Sequence, residues 1–436
     1  MPLRRRFLIH LRKRLGDTRL PLRLTFWDGD SFDFAPAPVV TIAIRSASVL
    51  RLFLTGNMDR LGAAYVAGDV AVDGRLQDIL HIGITIAERI GRVRLAQRAG
   101  WALGRVKALV RVTRLDRMAR LRRRHSRQAD AAAISYHYDV SNEFYALWLD
   151  RRMVYSCAYY RTGREDIDTA QEQKLDHLCR KLRLRPGESL LDIGCGWGGL
   201  LIWAAEHHGI SGVGVTLSER QCDYARARIA EKGLGERIEI RLQDYRDVPG
   251  DGCFDKIVSV GMYEHVGIAN LPIYFATIAR LLKPGGVALN HGITTADRDG
   301  VADGPPGGEF INRFVFPGGE LPHISRVLHE IAGSGLEPFD VEDLRPHYPP
   351  TLLHWVSRLE AQRDAVITAA GEQRYRIWRI YLAGMAYAFD RGLLSVAQVL
   401  ACKPAAGPAS RPWTRAYQDS SGDAVPLAGP LDWGDI

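Results

Sequence analysis

The sequence has 436 residues, of which 46% are hydrophobic and 25% are charged. These proportions exclude a collagen-like, coiled-coil or mostly disordered chain, and the length indicates two or three domains. The formal net charge of +8 is unevenly distributed: residues 1–130 carry 26 basic and 11 acidic residues, a net of +15, whereas the other 306 residues carry 32 basic and 39 acidic residues, a net of −7.

Most of the basic excess lies in residues 89–127, where 14 Lys and Arg residues accompany a single acid, Asp116. Apolar residues recur there at roughly helical spacing, so we predict a basic helical linker over residues 89–130. Its charge indicates an anionic partner, either nucleic acid or a membrane with anionic lipid, unless the helix simply presents a solvated face.

Targeting patterns and cysteines bear on the cellular location. No apolar run reaches the ~18–20 residues of a membrane-spanning helix. Residues 1–16 are Arg-rich and lack the apolar core of a signal peptide, so we interpret them as a solvated basic tail, with a mitochondrial presequence as the alternative. The six cysteines form no CxxC pair, so we expect a reducing compartment, no disulfide framework and no metal site.

The first 88 residues have the pattern of a small α+β domain. Residues 22–26 alternate between apolar and polar side chains, and the turn signal Asp28-Gly29 separates them from Phe32-Asp33-Phe34, which predicts a β-hairpin. Another strand is predicted over residues 39–44. Two helices are predicted to follow, over residues 57–66 and 76–88.

From about residue 131 the pattern changes to alternating strands and helices, which predicts a parallel sheet. The predicted strands are 189–193, 210–215, 238–242, 254–260 and 287–293. Ser218-x-x-Gln221 is a capping box that opens one of the intervening helices. We expect an α/β domain over residues 131–402, with a lid insertion near 295–335, helices near 350–366 and 372–390, and an irregular tail over 403–436.

The segment LLDIGCGWGG, residues 190–199, is the most informative motif. A buried strand leads into glycines that open a helix, so the backbone there can approach a ligand closely. A nicotinamide dinucleotide site would place an acid after the second strand, but that strand ends with Thr216-Leu217-Ser218. The order Asp192-x-Gly194-x-Gly196 is typical of class I methyltransferases that use S-adenosylmethionine. We therefore predict a class I methyltransferase Rossmann-like sheet with helices on both faces.

Seven motifs together resemble the cyclopropane-fatty-acyl-phospholipid synthase family, which includes the mycolic acid cyclopropane synthases. They follow one another in the family's order over about residues 131–395. The motifs are YHYDVSNEFY (136–145), YSCAYY (155–160), LLDIGCGWGG (190–199), VTLSERQ (215–221), GMYEHVG (261–267), FPGGELP (316–322) and HYPPTL (347–352). GMYEH departs from the family's usual pattern by placing a hydroxyl at Tyr263.

The resemblance implies that an unsaturated phospholipid acyl chain takes a methylene group from S-adenosylmethionine through a carbocation, with bound bicarbonate as the base. The bicarbonate contacts that it implies are Glu264, Cys157, His291, Tyr348 and the backbone of Ile293. The cofactor contacts that it implies are Tyr155, Ser156, Asp192, Gly194, Gly196, Thr216, Leu217, Gln221, Asp244 and Tyr245. Aromatic faces stabilise cations, so we predict acyl-chain contacts at Tyr136, Tyr138, Phe144 and Tyr160. The alternative for these aromatic residues is packing in the core.

Three other functions fit parts of this pattern. A related enzyme would leave a methyl or methylene branch instead of a ring, and a further methyltransferase would act on a soluble small molecule. A nucleic-acid-binding protein ranks last, because the second half of the chain is acidic and lacks an Asn/Asp-Pro-Pro-Tyr base-methylation motif. We expect a phospholipid membrane surface as the partner, with no nucleic acid. The resemblance also implies a homodimer. The cysteine and charge patterns indicate a cytoplasmic, peripherally membrane-associated protein.

The charge distribution yields one prediction. Replacing Arg122, Arg123 and Arg124 with Gln should weaken binding to anionic vesicles, because each basic residue near an anionic surface contributes about 1 kcal/mol. Vesicle cosedimentation measures that loss, while activity on a detergent-solubilised lipid should change less. An equal loss in both assays would contradict a membrane-docking role for this segment.

Overall fold

A computed structural model describes residues 3–15, 20–55, 58–75, 78–79, 81–83, 85–86, 127, 140–296, 308–406 and 411–419. The predicted basic linker lies outside these residues apart from Arg127. The chain forms two compact units. The first comprises Met1–Ala119, Asp303–Pro317 and Gly371–Tyr387, and the second comprises Arg120–Ala302, Gly318–Ala370 and Ala388–Ile436.

The first unit is built on a small sheet with the strand order β2-β1-β3-β4. Its elements before residue 75 are α1 (Leu3–Leu15), β1 (Leu22–Phe26), β2 (Ser31–Asp33), β3 (Val40–Ile44), α2 (Ala47–Thr55), α3 (Met58–Ala67) and β4 (Val70–Asp73). The predicted hairpin is confirmed, since β1 and β2 are antiparallel and Gly29 turns between them with φ +84°. The sequence pattern missed α2 and the short strand β4.

The prediction of a solvated N-terminal tail was wrong, because α1 contributes to the core of the first unit. Phe7 and Leu15 are only 2% and 1% exposed, and Leu11 packs against the same cluster. These three residues are spaced by four, so they share one helix face. The basic side chains of this helix dominate its composition and obscure that stripe.

Two later segments complete the first unit. They are α10 (Gly308–Phe314) and most of α14 (Glu372–Asp390). The backbone N–H of Phe310 donates to Asp59 at 2.9 Å, and a Cβ at Gly62 would lie 2.8 Å from the Phe310 ring. Arg379 donates to the Tyr65 hydroxyl at 3.2 Å. The sequence-based boundaries placed these segments in residues 131–402, because local patterns do not show which distant elements a helix contacts.

The second unit contains a sheet in which seven described strands follow the order β10-β11-β9-β8-β5-β6-β7. The strands are β5 (Ser189–Ile193), β6 (Ser211–Thr216), β7 (Ile238–Leu242), β8 (Phe254–Val260), β9 (Leu282–Thr295), β10 (Glu337–Asp343) and β11 (Leu394–Cys402). The five strands β5 to β9 are parallel, as predicted. The sheet is mixed as a whole, because β11 runs antiparallel to both β9 and β10, and the sequence pattern predicted neither β10 nor β11.

Helices cover both faces of this sheet, as predicted. The described helices of the second unit are α4 (Asn142–Ala146), α5 (Ile167–Leu182), α6 (Gly199–His208), α7 (Glu219–Glu231), α8 (Tyr263–Val266), α9 (Leu271–Leu281), α11 (Ile324–Gly333), α12 (Tyr348–Ala361), α13 (Arg363–Ala370) and α15 (Ala416–Asp419). One apolar core packs α5, α6 and α7 on the sheet, and a second core packs α9 and α11 on the opposite face. The predicted Ser218 cap is confirmed, because Ser218 Oγ accepts from the Gln221 N–H at 3.3 Å. The reciprocal half of the capping box does not form, because the Ser218 N–H donates to Thr216 Oγ1.

None of the helices in the described ranges combines the length and apolar character that a membrane crossing requires.

The core position of α1 can be tested by truncating one side chain. Phe7→Ala should lower the free energy of unfolding by about 3 kcal/mol, because it removes a buried aromatic ring and leaves a cavity. Ile9→Ala is the matched control, since Ile9 lies on the same helix and is 50% exposed. Urea denaturation measures both variants, and equal stability of the two would contradict the packing of α1.

Candidate active site

The order of the strands determines where a ligand cleft forms. The parallel strand β5 lies between β6 and β8, so the connections that leave the ends of β5 and β8 diverge to opposite sides. In open α/β sheets, ligands bind at the carboxyl ends of strands where the order reverses in this way. A cleft of about 960 Å³, including space open to solvent, lies at this position.

The glycine-rich turn after β5 forms one wall of this cleft. Gly194 and Gly196 have φ values of +82° and +54°, which residues with a Cβ rarely adopt. The N–H groups of Gly194 and Cys195 both donate to the Val215 carbonyl, at 2.9 and 3.1 Å, so β6 fixes the turn. A Cβ at Gly196 would meet no atom within 4 Å, and the turn therefore presents bare backbone to open space.

The end of β6 forms the neighbouring wall. Thr216 Oγ1 donates to Gln221 Oε1 at 2.9 Å, and the Ser218 N–H donates to Thr216 Oγ1 at 3.2 Å. These bonds join the strand end to the first turn of α7. Thr216 and Gln221 are buried and both line the cleft, so their polar atoms lie where a polar ligand would need them.

A tight loop over residues 150–156 closes the cleft on another side. The Asp150 carboxylate accepts from the N–H groups of Arg152 and Val154, each at 2.8 Å. Met153 adopts φ +58°, an uncommon conformation for a residue with a side chain. Asp150 thus shapes the turn that presents Tyr155 and Ser156 to the cleft.

Helix α5 supports that loop with residues that the sequence analysis missed. Gln171 Nε2 donates to the carbonyl of Ser156 at 2.9 Å, and Lys174 Nζ donates to Ser156 Oγ at 2.7 Å. Both side chains are buried. A polar pair three residues apart on an otherwise apolar helix face was the signal that could have found them.

Asp192 is a buried carboxyl that lines the cleft. Burial raises its pKa to about 7, while the positive charge of Lys174 acts in the opposite direction. Asp244 has a different position: it does not line the cleft, and its carboxylate pairs with Arg246 at 2.6 Å. That pairing contributes to a lowered pKa of Asp244.

The other predicted cofactor contacts come together in this cleft. Its lining includes Tyr155, Ser156, Gly194, Gly196, Thr216, Leu217, Gln221 and Tyr245. It also includes residues that the sequence analysis did not select, among them Lys174, Trp197, Gln243, Met262 and His265. Bare glycine backbone, hydroxyl and amide groups and apolar side chains together suit the phosphate-free, partly apolar S-adenosylmethionine.

Glu264 lies on the short helix α8, beside two cleft residues of the same segment, Met262 and His265. Its Oε1 accepts from the N–H of Ile293 at 2.7 Å, and its buried Oε2 has no hydrogen-bond partner among the described residues. Burial raises the pKa of Glu264 to about 7. Tyr263 donates to the Ile293 carbonyl at 3.0 Å, so both polar groups of the Ile293 backbone are held by α8.

His291 precedes Ile293 by two residues on β9 and therefore shares its sheet face. Its Nδ1 lies 3.2 Å from Gln398 Nε2 on the neighbouring strand β11. Burial lowers the pKa of His291 well below its usual range, so the imidazole is neutral at pH 7. An amide that donates to Nδ1 leaves the imidazole hydrogen on Nε2, where it can be donated.

Cys157 and Tyr348 form the other part of the predicted bicarbonate set. Cys157 is buried, and its thiol contacts the carbonyl of Leu344 at 3.8 Å, close before α12. Burial raises the pKa of Cys157, so its thiol stays protonated and cannot serve as a thiolate nucleophile. Tyr348 begins α12 and its ring packs on Phe389. Of these five residues, Glu264 and Ile293 contact each other directly. Cys157 contacts Leu344 shortly before α12, and His291 contacts Gln398.

The predicted acyl-chain contacts have differing positions. Tyr136 and Tyr138 lie outside the described residues. Phe144 is fully buried and packs edge-on against Tyr145 and Trp148, so in this structure it is a core residue and does not line the cleft. Tyr160 is buried, and its ring lies parallel to the rings of His347 and His354.

Comparison with known proteins identifies relatives of both parts of the chain. The family model described as mycolic acid cyclopropane synthetase matches residues 125–399, and a domain of unknown function matches residues 13–90. A "probable fatty acid methyltransferase" of Pseudomonas putida is 44% identical over 94% of this chain and 98% of its own length. The cyclopropane-fatty-acyl-phospholipid synthase of Escherichia coli K12 is 39% identical over 61% of this chain and 66% of its own length.

A solved structure agrees with these matches. The mycolic acid cyclopropane synthase CmaA1, crystallised in complex with SAH and CTAB, superposes with a TM-score of 0.59 and 33% identity. The match covers 63% of this chain and 98% of that protein. The predicted class I methyltransferase fold is thereby confirmed for this part of the chain.

The burial of Glu264 has a measurable consequence for stability. A carboxyl whose pKa rises from 4.5 to about 7 on folding binds its proton more tightly in the folded state. Its contribution is therefore fully favourable below about pH 4.5 and is lost as the pH rises to about 7. The difference between these pKa values corresponds to about 3 kcal/mol.

Glu264→Gln removes this titration, so the variant should gain up to about 3 kcal/mol of stability over the wild type between about pH 5 and pH 8. Urea denaturation at each pH measures the difference. The control is Glu236→Gln at an exposed position, which should follow the wild type throughout. Parallel pH profiles of Glu264→Gln and the wild type would show that Glu264 has an ordinary pKa.

Proposed function

We propose that this chain, which belongs to the mycolic acid cyclopropane synthetase family of S-adenosylmethionine-dependent methyltransferases, cyclopropanates the unsaturated acyl chains of phospholipids. The observation that carries the proposal is the buried Glu264 carboxyl beside the cleft. One of its oxygens accepts from Ile293, and the other has no hydrogen-bond partner within the described part of the chain. A buried carboxyl without a second partner is costly, so its presence here favours a role towards a bound group.

The cleft residues have separate parts in this reaction. Tyr155, Ser156 and the glycine turn would hold S-adenosylmethionine, which supplies an electrophilic methyl group when bound. Met262 and Leu217 add apolar surface to the same cleft. An alkene is a weak nucleophile, and the cation formed when it takes the methyl group reacts readily with water. The residues must therefore orient the acyl chain and exclude water from it.

We assign the deprotonation step to the region around Glu264. Bicarbonate would supply the base there, and the free Oε2 of Glu264 would accept its hydroxyl hydrogen. The neutral His291 would donate from Nε2 to an oxygen of the same anion. Both groups are buried, and hydrogen bonds to a charged group are stronger in a water-poor site.

Delivery of the substrate is a separate part of the proposal. Phospholipid acyl chains are presented by a membrane surface, and the basic residues of 89–127 are suited to anionic lipid headgroups. This part rests on the sequence alone, together with the expected peripheral location and homodimer.

A second candidate function is methyl or methylene branching of the acyl chain without ring closure. The name of the 44% identical Pseudomonas putida relative, a probable fatty acid methyltransferase, favours it. The two candidates share the first bond-forming step, and they differ in how the resulting cation loses a proton.

The proposal is tested with purified protein, methyl-labelled S-adenosylmethionine and vesicles of a cis-unsaturated phosphatidylglycerol. We expect label in the lipid, an acyl mass increased by one CH₂ group, and cyclopropane hydrogens in the proton NMR spectrum. Hydrogens of an exocyclic methylene group, or a branch methyl group next to a remaining double bond, would support the second candidate instead. Absence of label in the lipid, with cofactor binding confirmed by calorimetry, would contradict both.

Glu264→Gln should bind S-adenosylmethionine normally and lose turnover by about 100-fold or more, because it removes a group needed for proton transfer. Initial rates of label transfer and calorimetric titration measure the two properties. Glu236→Gln should match the wild type in both. Turnover of Glu264→Gln within a few-fold of the wild type would exclude Glu264 from the mechanism.

A further inference from the structure

A buried ammonium group lies beneath the loop that faces the cofactor cleft. Lys174 on α5 is 2% exposed, and its Nζ donates to Ser156 Oγ at 2.7 Å. Lysine is rarely buried this deeply without a functional or compensating partner. Burial lowers the pKa of Lys174 to about 8, while the carboxyls of Asp150 and Asp192 act in the opposite direction.

The direction of the Lys174–Ser156 hydrogen bond has a chemical consequence. An ammonium group has three hydrogens and no lone pair, so it can only donate. Ser156 Oγ must therefore accept, and its own hydroxyl hydrogen is left for another acceptor. Ser156 lines the cleft, so this hydrogen can be donated to a ligand there.

The surrounding bonds fix this arrangement. Gln171, one turn before Lys174 on the same helix, donates to the carbonyls of Val154 and Ser156 at 3.3 and 2.9 Å. Asp150 holds the start of the loop through the N–H groups of Arg152 and Val154. The loop backbone is thus held at both ends, and Lys174 makes the side-chain hydrogen bond that orients the Ser156 hydroxyl.

We propose that Lys174 is a positioning residue that turns the Ser156 hydroxyl into the cleft as a donor and, through it, recognises the carboxylate of the amino-acid end of S-adenosylmethionine. A donor hydroxyl backed by a positive charge matches an anionic oxygen. The adenosine end of the ligand has no negative charge and gains nothing from this pair. The inference rests on the proposed assignment of the cleft to S-adenosylmethionine.

Two nucleosides separate this role from a structural one. S-adenosylhomocysteine carries the amino-acid end, whereas 5′-methylthioadenosine lacks it. Calorimetry should show that Lys174→Met weakens S-adenosylhomocysteine binding by about tenfold or more, the loss expected when a charge-assisted hydrogen bond is removed. Its affinity for 5′-methylthioadenosine should stay within about twofold of the wild type.

Lys256→Met is the matched control. Lys256 is also a buried lysine of the second unit, paired with Glu188 at 3.6 Å, and it does not line the cleft. Its replacement removes a buried charge of the same kind, so both nucleosides should bind as they do to the wild type. An equal loss for both nucleosides in Lys174→Met would overturn the positioning role and assign Lys174 to loop stability.

A second variant decides the question if Lys174→Met does not fold. Ser156→Ala keeps the buried lysine and removes only the hydroxyl, so it should also lose S-adenosylhomocysteine affinity and retain 5′-methylthioadenosine affinity. The double variant should bind S-adenosylhomocysteine at most about twofold more weakly than Lys174→Met does, because the two substitutions remove the same interaction. Unchanged S-adenosylhomocysteine binding in Ser156→Ala would overturn the proposal, whereas a wild-type chain that binds neither nucleoside would overturn the cofactor assignment itself.

Discussion

The position of β5 constrains the rest of the second unit. Its pairing with β6 on one side and β8 on the other sends the following connections apart and leaves a cleft at the carboxyl end. The turn that follows β5 must then adopt positive φ values at Gly194 and Gly196, and β6 holds that turn through the Val215 carbonyl. Residues far apart in the sequence reach the cleft only because this strand order brings their loops together.

Burial shifts the pKa values of the ionisable groups around the cleft in the directions that favour their neutral forms. Burial raises the pKa values of Asp150, Asp192 and Glu264 and lowers those of Lys174 and His291. Each shift favours the neutral form, so the site limits the charge that it holds without a ligand. Such perturbed groups are concentrated where a protein binds or transforms a ligand.

The sequence predicted those features that depend on local pattern. The strands of the parallel sheet, the Ser218 cap and the glycine turn each leave a signal within a few residues. Features that depend on long-range contacts were missed. Strand β11 pairs between β9 and β10 although it lies about a hundred residues after β9. The role of Lys174 depends on its contact with Ser156, which the local sequence does not show. The prediction of a solvated tail over residues 1–16 was wrong because it relied on the basic composition and did not consider the spacing of Phe7, Leu11 and Leu15.

The central claim is that the site adds one carbon to an acyl double bond and then removes a proton from that carbon. Its most direct measurement uses S-adenosylmethionine with a fully deuterated methyl group and vesicles of cis-unsaturated phosphatidylglycerol. Mass spectrometry then counts the deuterium atoms of the product, and carbon NMR identifies its ring and alkene carbons. We predict a cyclopropane that keeps two of the three deuterium atoms and has no alkene carbon at the modified position. A product that keeps all three deuterium atoms would contradict the claim.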